Sequence, residues 1–249
     1  MIKINNLTKK FGSLVAIDNL NLDIPQGEIF GFLGPNGAGK TTTIKIMCGL
    51  MKPTAGEVLI DGHDIQKEPE RVKQMIGLIP DHPFIYQKLT GREFLRFVGS
   101  LYRVPPAEQE QKISELLEMF ELTSWGDDLI EGYSHGMQQK LVMSGVLLHN
   151  PKVIFLDEPT VGLDPKSARM VKDIFLSLSK RGVTIFMSTH TLEIAERLCH
   201  RIGIIQSGKL IALGPKDTLQ KGSIPGKNLE DIFLELTGGT EYAELLKYL

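Results

Sequence analysis

The sequence predicts an α/β fold with a mixed, mostly parallel sheet, an antiparallel β subdomain and a helical subdomain. Three observations carry this expectation. Short apolar runs alternate with helix-length amphipathic segments, the pattern of a parallel sheet covered by helices on both faces. One early segment alternates apolar and polar residues, which marks a half-buried antiparallel strand. A block over residues 82–150 has helical periodicity in place of strand runs.

Taken in order, "AIDNLNLDI" alternates from Ile17 to Ile24. Pro25-Gln26-Gly27 turns it into "EIFGFLG", a short buried strand. A glycine-rich loop and a helix, "KTTTIKIMCGL", come next, closed by Pro53 and Gly56. "EVLIDG" reads as a strand and turn, and "MIGLIP" as a further strand. "REFLRFVGSLY" is helical and is separated by Pro105-Pro106 from a second helix. There Ile113, Leu116, Leu117 and Phe120 fall at i, i+3, i+4 and i+7 on one face. Helical character is expected to run on to Asn150. Strand "KVIFLD", helix "PKSARMVKDIFLSLSKRG", strand "VTIFMST", helix "LEIAERLC" and strand "RIGIIQ" then alternate. Val171, Ile174, Phe175 and Leu178 stripe the first of these helices. A tail follows Gly214, with Leu229, Ile232, Phe233 and Leu236 at helical spacing. The expected division is a core of residues 1–81 and 151–218 that includes the antiparallel β subdomain. A helical subdomain over 82–150 and a C-terminal helical extension over 219–249 complete it.

Composition narrows the function classes. A chain of 249 residues, 42% of them hydrophobic, can bury a large core. A net charge of −2 and a pI of about 6.3 give no global basic field, so no nucleic-acid partner is expected. Cys48 and Cys199 stand alone, which reads as buried thiols in a reducing compartment. The opening "MIKINNLTKKF" has no apolar signal core, and runs such as "VIFL" fall far below the roughly 18 residues a membrane span needs. A cytoplasmic chain is expected, with any membrane role exercised through a partner.

Four segments carry chemistry. "GPNGAGKT" fits G-x-x-x-x-G-K-[ST] in full, between a strand and a helix, and so predicts a P-loop nucleoside-triphosphatase core. Its glycines let backbone N–H groups turn inward around an anion, and the helix dipole adds positive potential. Asn36, Gly37, Ala38, Gly39, Lys40, Thr41 and Thr42 are the candidate phosphate-binding residues. Lys40 would reach the outer phosphates and the Thr41 hydroxyl a Mg²⁺ ion. "KVIFLDEPT" ends a buried strand in Asp157-Glu158, at the edge where such sheets bind ligands. Asp157 suits the metal, and Glu158 suits orienting or deprotonating an attacking water; acidic pairs there also cap helices. "MSTH" puts His190 at the next strand end, as a γ-phosphate contact or as plain surface. "EGYSHGMQQKL" then offers a second anion-seeking helix start, Ser134 and Gly136, nearly a hundred residues after the first.

The order of glycine loop, helical insert, Ser-x-Gly helix start, Asp-Glu strand end, "GLD" and strand-end His resembles the ATP-binding subunit of an ABC transporter, over residue 1 to about 215. That resemblance answers why there are two helix starts. Two copies, alike or paired with a related subunit, would join head to tail, each Ser134/Gly136 facing the ATP held by the other's glycine loop. By the same resemblance, Phe11 stacks on adenine; the plain alternative is a ring packed under a turn. Gly162, Leu163 and Asp164 match a loop that crosses between copies, and Asp164 before Pro165 also reads as a helix cap. The helical insert, with Phe84 and Tyr86, would dock an integral membrane permease subunit, placing the chain on the inner face of the cell membrane.

Three departures from the family pattern stand out. Asp81 replaces the usual Gln as a metal contact and is shorter, so a bridging water is plausible. His135 replaces the first glycine of the signature, and Met137 replaces its glutamine. The Tyr-Ser-x-Gly-Met form resembles exporters of the ABC-2 group. The alternative is a soluble ABC-type ATPase acting on ribosome or DNA. Such proteins carry paired nucleotide domains, long coiled coils or cysteine-bound zinc, and this chain has one glycine loop, no sustained heptads and no metal-spaced cysteines.

Overall fold

The computed structural model describes residues 1–159 and 162–221, together with Phe233, Leu234, Leu236 and Thr237. Among these, ten strands form two sheets. The first sheet is antiparallel. Strands β1 (Ile2–Phe11) and β2 (Leu14–Ile24) form a hairpin, extended by β4 (Ala55–Ile60) and β5 (His63–Asp64) in the order β2-β1-β4-β5. The expected alternation holds over Leu20, Leu22 and Ile24; Ile17 is buried too, but Asp18 and Asn19, the latter at φ 51°, break the period between Ile17 and Leu20. Strand β1 lacks an anticipating pattern. Its register with β2 shifts three times between Ile4 and Lys10, and Asn6 takes a left-handed φ of 49°, so the apolar period breaks.

The second sheet runs β10-β9-β3-β8-β7-β6. It comprises β3 (Ile29–Leu33), β6 (Ile76–Ile79), β7 (Val153–Asp157), β8 (Thr184–Thr189), β9 (Arg201–Gln206) and β10 (Lys209–Pro215). All its pairings are parallel except β9 with β10, so the sheet is mixed and mostly parallel. The three central strands are buried at every residue, and their two faces feed two cores. Phe30, Phe32, Phe155 and Phe186 point toward the antiparallel sheet and α1 (Lys40–Met47), with the Phe32 and Phe186 rings 5.3 Å apart. Leu33, Ile154, Leu156, Ile185 and Met187 point the other way, onto α6 (Pro165–Lys180) and the helical block. Each fully buried side chain of this size contributes about 1.5–3 kcal/mol. The sandwich therefore fixes the strand ends firmly.

The helical block is discontinuous. Helix α3 (Gly91–Leu101) opens with a Thr90/Glu93 capping box and α4 (Pro106–Met119) with proline, and α5 (His135–Leu148) ends the block. Helical character does not run unbroken to Asn150. Glu121 adopts φ 59° and stops α4, and residues 120–134 are turns with two single 3-10 turns. Helices α2 (Pro69–Met75), α7 (Leu192–Leu198) and α8 (Lys216–Lys221) are short. No helix among the described residues is long and apolar enough to cross a membrane. Leu229 and Ile232 of the expected tail helix lie outside the described residues. Phe233 packs against the core, and Gln206 Nε2 donates to the Thr237 carbonyl at 3.2 Å.

Candidate functional site

The parallel register brings the carboxyl ends of β3, β7 and β8 side by side, with Leu33 opposite Thr189 and Asp157 opposite Ser188. The glycine loop leaves β3 there and enters α1. Gly37 and Gly39 take φ 80° and 111°, values that favour glycine. A Cβ on Gly39 would lie 2.6 Å from the Ala16 carbonyl, whereas one on Gly37 would meet nothing within 4 Å. The loop is thus pressed onto β2 on one side and open on the other. Lys40 is buried, and its ammonium donates to the Gly34 and Pro35 carbonyls at 2.7 and 3.2 Å. Burial holds its pKa below the ordinary lysine value, against the attraction of Glu158 and Asp157. An anion entering the loop would offer that charge a better partner than two neutral carbonyls.

Asp157 is the last residue of β7. One carboxylate oxygen accepts from Thr41 Oγ1 at 2.9 Å and the other from the Ser188 hydroxyl. Glu158 follows in a left-handed conformation, φ 51°, which turns its side chain toward β8. Its carboxylate accepts from Thr189 Oγ1 at 3.0 Å and from the His190 backbone N–H at 3.0 Å, and it pairs with His190 Nδ1 at 2.7 Å. Sequence reasoning singled out both acids and the histidine but missed Ser188 and Thr189, the hydroxyls that orient the acids. The only signal was the "ST" inside "MSTH".

Phe11, Asn36, Gly37, Gly39, Lys40, Thr41, Thr42, Asp81, Asp157, Glu158 and His190 line one open cleft of about 360 Å³, together with Leu14 and Ala16. Ala38 lies buried behind the loop. Phe11 ends β1 and is 46% exposed. Asp81 pairs with its neighbour His82, accepting from the backbone N–H at 2.8 Å and lying 3.0 Å from Nδ1.

Ser134, Gly136 and Asp164 are not among the residues lining this cleft. Ser134 caps α5, accepting from the Met137 N–H at 3.3 Å, and is exposed. Asp164 caps α6 through the Ser167 N–H and hydroxyl at 3.0 and 2.5 Å, and those bonds hold its carboxyl below the usual range. His135 folds over Gly162, where a Cβ would approach its Cδ2 to 2.3 Å. Buried Gln139 ties α5 to the Pro80 carbonyl at 3.2 Å, next to Asp81.

The donor set fits a phosphate chain with a hard cation. Thr41 and Asp157 supply adjacent oxygens of the kind Mg²⁺ takes, and Mg²⁺ needs few protein ligands when phosphates complete its shell. Among the described residues there is no group of three or more His, Cys, Asp or Glu that could hold a metal ion.

Comparison with known proteins gives a consistent picture. The family described as "ABC transporter" matches residues 17–161. The probable multidrug ABC transporter ATP-binding protein YbhF of Escherichia coli K12 is 39% identical over 240 residues, 95% of this chain. The chain spans only 41% of that relative's length. The bacitracin transport ATP-binding protein BcrA of Bacillus licheniformis is 41% identical over 222 residues, 89% of this chain and 72% of the relative. A dimeric post-hydrolysis structure of the ATP-binding cassette MJ0796 bound to ADP and Pi superposes with a TM-score of 0.79. It is 29% identical and covers 86% of this chain and 98% of that one.

Proposed function

The chain belongs to the ABC transporter family, and from that premise we propose that it is the ATP-hydrolysing subunit of an ABC transporter. It works as a head-to-tail pair of ATP-binding subunits against an integral membrane permease. One observation carries the reading. A single cleft gathers Lys40, Thr41, Asp157, Glu158 and His190, while the second anion-seeking helix start, at Ser134, is exposed and lies off that cleft. One chain therefore presents a phosphate cradle and a separate, outward phosphate clamp. A symmetric pair satisfies both, and the dimeric MJ0796 structure supports that arrangement.

Within the cleft, the loop N–H groups and Lys40 bind the triphosphate, with Phe11 stacked on the base. Thr41 and Asp157 would hold Mg²⁺, with Asp81 lining the same cleft; the ion would supply charge neutralisation for the phosphates. Glu158, fixed by Thr189 and His190, accepts a proton from water as its oxygen bonds the γ-phosphorus and the bond to the β-phosphate oxygen breaks. His190 holds Glu158 in place and faces the γ-phosphoryl group as it passes to water and the diphosphate leaves. Ser134 and Gly136 of the partner subunit close the other side of that phosphate.

The pair closes when the γ-phosphate supplies charge for both halves and opens once hydrolysis removes that link, which converts chemistry into motion. The exposed Phe84 and Tyr86 on the helical side are the docking aromatics for the permease. Export is the proposed direction, supported by the multidrug relative. The subunit then sits at the cytoplasmic face of the cell membrane. Co-purification with an integral membrane protein whose presence alters ATP turnover tests the assignment; an ATPase that never associates with one would refute it.

A further inference from the structure

Lys9 is left unused by this reading, yet it sits against the residue assigned to the base. Its ammonium lies 5.0 Å from the Phe11 ring centroid, within the reach of about 6 Å for a cation–π contact. The same ammonium donates to the Lys52 carbonyl at 2.8 Å, so it is pinned. Lys52 belongs to the segment that leaves α1, the helix opened by the glycine loop. Two further bonds tie that segment to β1: the Thr54 N–H to the Thr8 carbonyl at 2.8 Å, and the Lys10 N–H to Thr54 Oγ1 at 2.9 Å. The platform for the base and the cradle for the phosphates are thereby joined through Lys9 and its neighbours.

We propose that Lys9 is a positioning residue for nucleotide binding, holding and polarising Phe11 so that its free side stacks on an aromatic base. The proposal rests on the reading of Phe11 as the base platform. An aromatic face is electron-rich, and so is the face of a purine, which penalises direct overlap. A cation fixed on one side draws π density toward itself and leaves the opposite side less negative. It also restricts the ring's rotation before the base arrives, which lowers the ordering cost of binding. Leu14 and Ala16, the other cleft residues from this hairpin, have no side-chain group that could hydrogen-bond a base edge, so the face of the ring dominates there.

The test is a double-mutant cycle read by calorimetric binding of ATP in the full chain. Lys9→Gln keeps a donor for the Lys52 carbonyl and removes the charge. It should weaken ATP affinity about two- to fivefold, the range of an exposed cation–π contact. Lys9→Arg should retain parental affinity. In a Phe11→Ala background, Lys9→Gln should change nothing, because Lys9 acts through the ring. Affinity for inorganic triphosphate, which has no base, should be the same with Lys or Gln at position 9. Equal losses for ATP and triphosphate would make Lys9 a plain electrostatic attractor and overturn the proposal, as would full additivity with Phe11→Ala. If Phe11→Ala itself leaves ATP affinity intact, the stacking reading falls and this inference falls with it. If Phe11→Ala weakens binding while Lys9→Gln does not, only the role of Lys9 is lost.

Discussion

Replacing Glu158 with glutamine separates binding from chemistry. The carboxylate accepts from the Thr189 hydroxyl, the His190 N–H and the His190 ring. A glutamine amide oxygen can keep both His190 contacts, and its NH₂ group can donate to the Thr189 oxygen, so the side chain stays where it is. What disappears is the basic oxygen. General-base assistance is worth about 10²–10⁴ in rate, or roughly 3–5 kcal/mol of barrier. Nucleotide affinity should hold or rise, since one of the three carboxylates lining the cleft has gone. Turnover should therefore drop at least a hundredfold at saturating ATP, while size-exclusion chromatography with ATP and Mg²⁺ shows an accumulated dimer. Turnover within tenfold of the parent would refute the assignment of the base. A monomer under those conditions would refute the shared site.

Other outcomes follow from the same geometry. Lys40→Ala removes the buried ammonium poised over the loop and should abolish ATP binding in calorimetry; retained affinity would remove the phosphate assignment. Ser134→Ala loses a helix cap worth about 0.5–2 kcal/mol of stability, and it should weaken dimerisation more than the nucleotide affinity of the monomer. Equal losses would place Ser134 on its own chain's nucleotide. Asp81→Ala should raise the Mg²⁺ concentration needed for half-maximal hydrolysis, and an unchanged metal titration would exclude Asp81 from the metal's surroundings. His149 stacks on Tyr102 at 3.7 Å, and burial lowers its pKa below the usual imidazole value. The unfolded chain takes up that proton below about pH 6.5 while the folded chain resists it, so stability should fall as pH drops through that point and level off below the folded pKa. Urea melts of His149→Gln should show a shallower decline between pH 7 and pH 5, and parallel curves would contradict this.

The cleft was legible in the sequence because its chemistry sits at strand ends. Asp157, Glu158 and His190 each follow an apolar run that must lie at the centre of a sheet, and the loop before Lys40 has a spacing few other structures need. The fastenings were not legible. Ser188 and Thr189 look like ordinary strand residues until β8 pairs with β7, and Lys9 gains meaning only when Lys52 returns alongside β1. Strand β1 hid behind its bulges, and β10 behind an edge position where its exposed and half-buried residues carry mixed polarity. The break after Phe120 escaped notice because Glu121 is a residue type that seldom adopts a left-handed turn. Ser134 and Gly136 were recognisable as a helix start, but their separation from the cleft is a fact of three dimensions.

Turnover per protomer across a dilution series, with the monomer–dimer balance followed by light scattering in the same samples, bears most directly on the central claim that one copy holds only half of each site. The account predicts that ATP hydrolysis tracks the dimer fraction and vanishes as that fraction approaches zero. Constant turnover per protomer in samples that contain only monomer would contradict it.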